Sequence, residues 1–390
     1  MKRQKKSEID IQNGDNSDRL SNLPDHLLLL IMEFLAPKHS IQTCVLSKRW
    51  KDLWKSLTAL LLHHLRDRKF VSHILSGRDN SLPLHKLFYF HKISENMKGE
   101  NLHLDLESKL LEVMKYGASH NVKRLVVEVG PGLMKDLELP PSIFHCHSLV
   151  ALKLDFSHPA SHDYIKILFP KSLNLPALKT LYLSFLTFTT SENGCAEPFS
   201  ACKMLNNLII FCCSLQDDAK ALCISNSNVS LIGIGDTCMH TRVSYINVVF
   251  RTPKLKLFSI QGFLGFVSPL VCKLPSLEEA IIDYGCFDNP FKESLLIDWL
   301  HLLVNVKIMR ISFRTLCQIN TFQKKYPMRS IVPCFVRLKS LKVKVSESEV
   351  FDEKIRGEVN EMVPYLLQNS LHAKVDTILY PGSIYRKSEY

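Results

Sequence analysis

The chain has 390 residues and a formal net charge of +11, with 46% hydrophobic and 22% charged residues. This is the composition of an ordinary globular protein, long enough for two domains or one elongated one, and it excludes a globally disordered chain. A positive excess fits an acidic or nucleic-acid partner. Here residues 1–70 carry 13 Lys/Arg against 8 Asp/Glu, which leaves +6 for the other 320 residues. An excess spread so thinly disfavours a dedicated nucleic-acid binder.

Residues 1–17 are read as a disordered basic tail, opening Lys2-Arg3-Gln4-Lys5-Lys6 and continuing polar through Asn16. It has no apolar h-region and so is no secretory signal. A solvated tail and a nuclear import signal are its two readings. The longest apolar run, Leu27 to Met32, stops at Glu33, too short for a membrane span. Twelve cysteines without a signal peptide and without a C-x-x-C pair favour reduced thiols, hence a protein of cytoplasm and/or nucleus.

The next segment, Asp18 to Trp54, is the densest in apolar residues. Ser21-Asn22 offers an N-cap ahead of Leu23-Pro24, a helix start. From Leu27 to Leu35 the reading is LLLLIMEFL, apolar on nearly the whole helix circumference, and such a helix expects cover on every side. A second helix is expected from about His39 to Leu46, and a short third element carries Ser47-Lys48-Arg49-Trp50 and Leu53-Trp54. Three helices this small cannot supply the missing walls. Either a partner covers them or they cap a larger domain.

At these residues the chain resembles an F-box, the module by which substrate receptors dock onto the Skp-type adaptor of a cullin-based ubiquitin ligase. Asp18, Arg19, Leu20, Ser21, Leu23, Pro24 and Asp25 are similar to the opening of the plant F-box pattern. Phe34-Leu35 and the run Val45-Leu46-Ser47-Lys48-Arg49-Trp50 with Trp54 match its later positions. His39 departs from it, where a short acidic residue is common.

Behind this segment a pattern repeats, apolar-x-x-apolar-x-apolar. Clear copies stand at Leu149/Leu152/Leu154, Leu178/Leu181/Leu183, Leu205/Leu208/Ile210 and Leu255/Phe258/Ile260. Others follow at Leu277/Ala280/Ile282 and Leu338/Leu341/Val343, with weaker ones anchored at Leu84, Val122, Val229 and Val306. Spacings of 22 to 38 residues centre on the range of leucine-rich repeats. Each copy predicts a short strand with alternate residues inward, and the chain is expected to return over the outer face as helix or loop. The clearest such helix is Leu104 to Ala118. Ten stacked strands at ~4.8 Å predict a curved parallel sheet about 45 Å long.

The fold class is therefore α/β: a three-helix F-box followed by a leucine-rich-repeat solenoid with a curved parallel sheet. The whole resembles the plant F-box/leucine-rich-repeat family. Boundaries are set at 1–17 for the tail, 18–58 for the F-box, 59–83 for a helical linker, 84–345 for the solenoid and 346–390 for a C-terminal cap.

Catalytic signatures are missing: no G-x-S-x-G, no phosphate-loop pattern, no H-E-x-x-H and no G-x-G-x-x-G. His145-Cys146-His147 with His158 and His162 fits no standard zinc spacing. No catalytic, cofactor or metal residue is assigned, and the chain is read as a non-catalytic subunit. What the resemblance implies is a substrate receptor whose F-box docks the adaptor, and through it a cullin, while the repeats hold a target protein. The alternative is a basic leucine-rich scaffold for acidic or nucleic-acid partners without ligase assembly. The adaptor-facing residues are expected to be Leu23, Pro24, Leu27, Ile31, Leu35, Val45, Leu46, Trp50 and Trp54. Target contacts are expected on the concave strand face at Lys153, Asp155, Tyr182, Ile209, Phe211, Gln261, Asp283, Arg310, Lys342 and Lys344. The middle of that face reads as apolar and aromatic, and its C-terminal end as suited to an acidic segment.

Overall fold

The computed structural model describes residues 20, 22–35, 37–63, 68–91, 100–130, 136–156, 166–190, 194–216, 219–236, 246–262, 267–269, 274–284, 290–325, 333, 335–346, 353–370 and 372–380. The basic tail, Asp18, Arg19, Ser21, His158 and His162 lie outside these residues.

The chain opens with α1 (Asp25–Glu33), α2 (Pro37–Gln42), a 3-10 turn at Thr43–Val45 and α3 (Trp50–Leu53). The second helix thus begins and ends earlier than expected. One twelve-stranded sheet, parallel throughout, forms the body of the molecule. Its strands are β1 (Ala59–His63), β2 (Lys86–His91), β3 (Arg124–Val129), β4 (Ala151–Phe156), β5 (Thr180–Ser184) and β6 (Asn207–Phe211). They continue with β7 (Leu231–Asp236), β8 (Leu257–Gly262), β9 (Glu279–Tyr284), β10 (Ile308–Ser312), β11 (Ser340–Ser346) and β12 (Lys374–Tyr380). The spatial order is the chain order, as a solenoid requires when each repeat meets only its neighbours.

All ten predicted anchors are buried, from Leu84 and Val122 at 0% exposure to Leu277 at 7%. The register explains why: Leu87, Leu125, Leu152, Leu181, Leu208, Ile232, Phe258, Ala280, Met309 and Leu341 are successive strand partners. They stack as one inward row. Period-two alternation then sends the residues between them to the other face.

Three expectations are corrected. The sheet does not end at 345 with only a cap behind it, because Lys374–Tyr380 pairs in parallel with Ser340–Ser346 as its last strand. The segment 59–83 is no plain helical linker, because Ala59–His63 is the first strand of the sheet and, among its described residues, only Arg68–Gly77 (α4) is helical. The repeat signature was already present there, at Leu57, Leu60 and Leu62, each at most 3% exposed. The return path of the central repeats is also neither helix nor loop. Leu137–Glu138, Ile167–Phe169, Thr187–Phe188 and Ser214–Leu215 form a second parallel sheet. Cys195–Ala196, Ala221–Ser225, Ile246–Arg251 and Val267–Pro269 form a third. Bulky aromatic side chains favour this β return: Phe144, Phe169 and Phe188 pack edge to face at 5.4 and 5.5 Å, filling the space between layers. Helices cover the remaining repeats, namely α5 (Glu100–Ser119), α6 (Pro290–Leu302), α7 (Phe313–Lys325) and α8 (Glu353–Leu367). Helix α5 buries Leu106, Leu110, Val113 and Met114, the predicted face.

The turns that leave the strands recur as well. Phe185, Cys212 and Gly262 follow or end β5, β6 and β8 with φ of 60°, 47° and 77°. Gly262 has no freedom to be anything else: a Cβ there would lie 1.9 Å from the Asp236 carbonyl oxygen.

Candidate functional site

Two surfaces carry the chemistry. The first is the outer face of the N-terminal helices. Leu28 and Met32 of α1 point inward at 0% exposure and join Trp50, Leu53 and Trp54 in the continuous core. Neighbouring positions on the same helix face water. Leu27, Leu30 and Ile31 are 37 to 51% exposed, Phe34 is 85%, and across the helices Val45 is 83% and Leu46 58%. With Leu20 at 45%, seven large apolar side chains are exposed over twenty-seven residues. Monomeric surfaces rarely leave such a cluster uncovered.

The cluster stands on a fixed base. Arg49 donates from Nε to Asp25 Oδ1 at 2.7 Å and from Nη2 to the Leu23 carbonyl, tying the start of α1 to the start of α3. Ser40 donates to the Met32 carbonyl at 2.9 Å, tying α2 to the end of α1. Thr58 donates to Glu33 at 2.5 Å while its own carbonyl accepts from His85 and Lys86, so the helices join directly to the first strand pair. Behind them Arg78, 3% exposed, donates to the carbonyls of Leu57, Asp79, Leu82 and Pro83.

Of the nine residues expected to face an adaptor, Pro24, Leu27, Ile31, Val45 and Leu46 are exposed, and Leu23 and Leu35 are half-buried. Trp50 and Trp54 are corrected: at 3% and 7% exposure they are core residues and offer no surface. Trp54 lies so close to Gly77 that a Cβ there would meet its ring at 2.7 Å. Their role is to hold the exposed helices against the solenoid. Leu20, Leu30 and Phe34 are the exposed residues that sequence reasoning left off the surface. An all-apolar helix hides which side is open until its neighbours are placed.

The second surface is the concave strand face. The register aligns Phe88, Val126, Lys153, Tyr182, Ile209, Gly233, Ser259, Ile281, Arg310 and Lys342 in one row. Lys153 pairs with Glu128 at 2.9 Å and lies 4.5 Å over the Tyr182 ring, and Tyr182 is parallel to Phe211 at 6.4 Å. Burial, and then the nearby Asp155, push the Tyr182 phenol well above its usual range. Gly233 and Gly235 are buried beneath their neighbours, and a Cβ at Gly235 would meet the Phe211 ring at 2.7 Å. Lys153, Tyr182, Phe211, Gln261, Asp283, Lys342 and Lys344 are half-buried and Arg310 is exposed. Asp155 and Ile209 are corrected as contact residues: both are 3% exposed. Ile209 lies against the empty position of Gly233, whose Cβ would meet it at 3.5 Å. The C-terminal end is less free in charge than the sequence suggested. Arg310 is paired with Glu279 at 2.6 Å and Lys344 with Asp283 at 3.2 Å.

Among the described residues no group of three or more His, Cys, Asp or Glu is placed to hold a metal ion, and no helix is long and apolar enough to cross a membrane.

Comparison with known proteins agrees with this architecture. The F-box domain family matches residues 20–60. An F-box/FBD/LRR-repeat protein of Arabidopsis thaliana is 28% identical over 402 residues, covering 95% of this chain and 79% of the relative. An FBD-associated F-box protein of the same plant is 27% identical, covering 96% and 86%. A putative F-box/FBD/LRR-repeat protein, also from Arabidopsis thaliana, is 28% identical over 283 residues, and there the chain spans 62% of the relative's length. The chain is thus similar to plant F-box/leucine-rich-repeat proteins, with the F-box match on its N-terminal helices.

Proposed function

We propose that this chain is the substrate-recognition receptor of a Skp–cullin–F-box ubiquitin ligase. The observation that carries this reading is the exposed apolar cluster on α1 and the turn after α2, set on a base of hydrogen bonds and buried tryptophans. Among the described residues nothing covers these side chains, and a second protein supplies the apolar surface that would bury them. Covering one of them stabilises the complex by about 1.5–3 kcal/mol if its full apolar area is removed from water. A Skp-type adaptor takes that face and brings a cullin with it. The concave face of the sheet holds the target. The chain's contribution is then positioning: a rigid body with docking helices at one end raises the effective concentration of target lysines near the conjugating enzyme. It performs no chemistry itself.

The test is co-expression with a plant Skp-type adaptor, followed by size-exclusion chromatography at low and high salt. An apolar interface predicts a one-to-one complex that survives high salt. Replacing Leu23 and Pro24 together by Ala should abolish capture while the repeats stay folded. A chain that elutes alone beside the adaptor at both salt concentrations would overturn the reading.

A further inference from the structure

The solenoid register gathers the diffuse positive charge of the sequence into a line. One residue before each strand, the backbone forms its own ladder along the rim of the sheet. The N–H of Lys123 donates to the carbonyl of His85, Val150 to Lys123 and Lys179 to Val150. Asn206, Ser230, Lys256, Glu278, Lys307 and Lys339 continue the series, all at 2.7–3.0 Å. Residues far apart in sequence therefore sit one strand spacing apart, about 4.8 Å. Lys123, Lys179, Lys256, Lys307 and Lys339 stand in this line, and Lys86, Arg124 and Lys374 open the adjoining strands, all exposed. The turn before β6 adds to it: the Lys203 carbonyl accepts from Asn228 Nδ2, and Asn228 Oδ1 accepts from Lys254 Nζ at 2.9 Å.

Opposing charge is scarce on the rim. Glu278 and Glu279 are its carboxylates, and both are taken, by Lys307 at 2.8 Å and Arg310 at 2.6 Å. The Lys307 hydrogen bond holds the Glu278 carboxyl below its usual range. Among the described residues Lys86, Lys123, Lys179 and Lys339 have no ion-pair partner. Like charges lined up in this way repel one another, and a polyanion relieves that repulsion.

We propose that this rim docks an extended acidic segment of the target protein. The proposal rests on the reading of the repeat arc as the target-holding surface, and names the chemistry of what it holds. Basic groups stand at β2–β3, at β5 and at β8, with Val150 between the first two and Asn206 and Ser230 between the last two. Lys123 and Lys179 are thus about 10 Å apart, and Lys179 and Lys256, with Asn206 also between them, about 14 Å, or three to four residues of extended chain. The matching ligand carries carboxylates grouped at that interval and a neutral or basic residue where it passes Glu278. A nucleic acid fits less well. Its continuous phosphates would have to cross Glu278 and Glu279. Single strands are also bound by stacking bases on free aromatic faces. The rim line has no Phe, Tyr or Trp, and on the concave face Phe88 is stacked with Phe90 and Tyr182 with Phe211.

The experiment uses the full chain bound to its adaptor. The probes are a fluorescein-labelled peptide of Glu-Glu-Ser repeats, the matching Gln-Gln-Ser peptide, and an oligothymidylate of equal charge, each followed by anisotropy across a salt series. The acidic peptide should bind, weaken with salt, and lose roughly tenfold or more in affinity when Lys123, Lys179 and Lys256 are changed to Glu. Changing Lys115, Lys171 and Lys325 to Glu alters net charge equally but off the rim, and should leave affinity within about twofold. Equal losses in both variants would reduce the effect to net charge and overturn the proposal, as would tighter binding of the oligothymidylate or binding of the neutral peptide at the same strength. Circular dichroism confirms that both variants are folded. Adaptor capture is read separately by chromatography on the same preparations, so failure of the rim and failure of the receptor reading give different results.

Discussion

Arg78 and Arg49 are both arginines at the junction of helices and solenoid, yet their surroundings give them different weight. Arg78 is buried and donates to four carbonyls, that of Leu57 in the interior and those of Asp79, Leu82 and Pro83 partly buried. Removing it leaves several acceptors unsatisfied, so Arg78→Ala should cost about 3 kcal/mol or more in urea denaturation. Arg49 and Asp25 form a pair whose side chains are 36% and 61% exposed. Its loss should cost under ~1 kcal/mol, because solvent screens it. Gly77 belongs to the same junction. Gly77→Ala should be destabilising by about 1–3 kcal/mol, because the new methyl group would press on the Trp54 ring in an already filled core. Neither Arg78 nor Gly77 was legible as important beforehand. Nothing local marks a glycine as facing a tryptophan 23 residues earlier.

Among the elements, helix α1 is the most informative, since its two faces do different work from the same residue type. Leu28→Ala removes a fully buried side chain and should cost about 2–5 kcal/mol, with capture lost only through unfolding. Phe34→Asp combined with Val45→Asp changes two side chains more than four-fifths exposed. Stability should stay within about 0.5 kcal/mol of the parent, while the adaptor complex disappears from size-exclusion profiles. That the helix is apolar all round could be read directly from Leu27 to Leu35. Which stripe faces water depends on α3 and on β1, and the strand β1 was hidden inside a stretch that resembles a linker.

Across the whole molecule, stability is shared between neighbouring repeats. Leu183→Ala, in the middle of the inward stack, should raise hydrogen exchange most in β4 and β6 and less toward the ends. Uniform loss of protection across all twelve strands would mean the solenoid unfolds as one unit instead. The interior also sets a pH response. Burial pushes the Cys213 thiol from 9.0 to about 12 and the Cys202 thiol to about 11. Both remain neutral in the folded state where the unfolded chain would already ionise. Their contribution is fully present below pH 9 and is lost as pH rises through 11 to 12. The urea midpoint should therefore fall between pH 8 and pH 11, and thiol reagents at pH 8 should reach these two cysteines only after unfolding.

The repeat and its inward residues were legible in the residues alone, because period-two alternation and fixed local spacings are displayed by any single repeat. The N-terminal module was legible through its resemblance to an F-box. The sequence could not determine the route of the return segments, because helix and strand returns bury similar apolar residues and differ only in what packs behind them. Nor could it show that Trp50 and Trp54 lie beneath the exposed apolar cluster rather than within it. The basic rim is the strongest case. Its lysines are scattered singly from residue 86 to residue 374 and look like a diffuse excess, and only the strand register, set by core packing, brings them into one line.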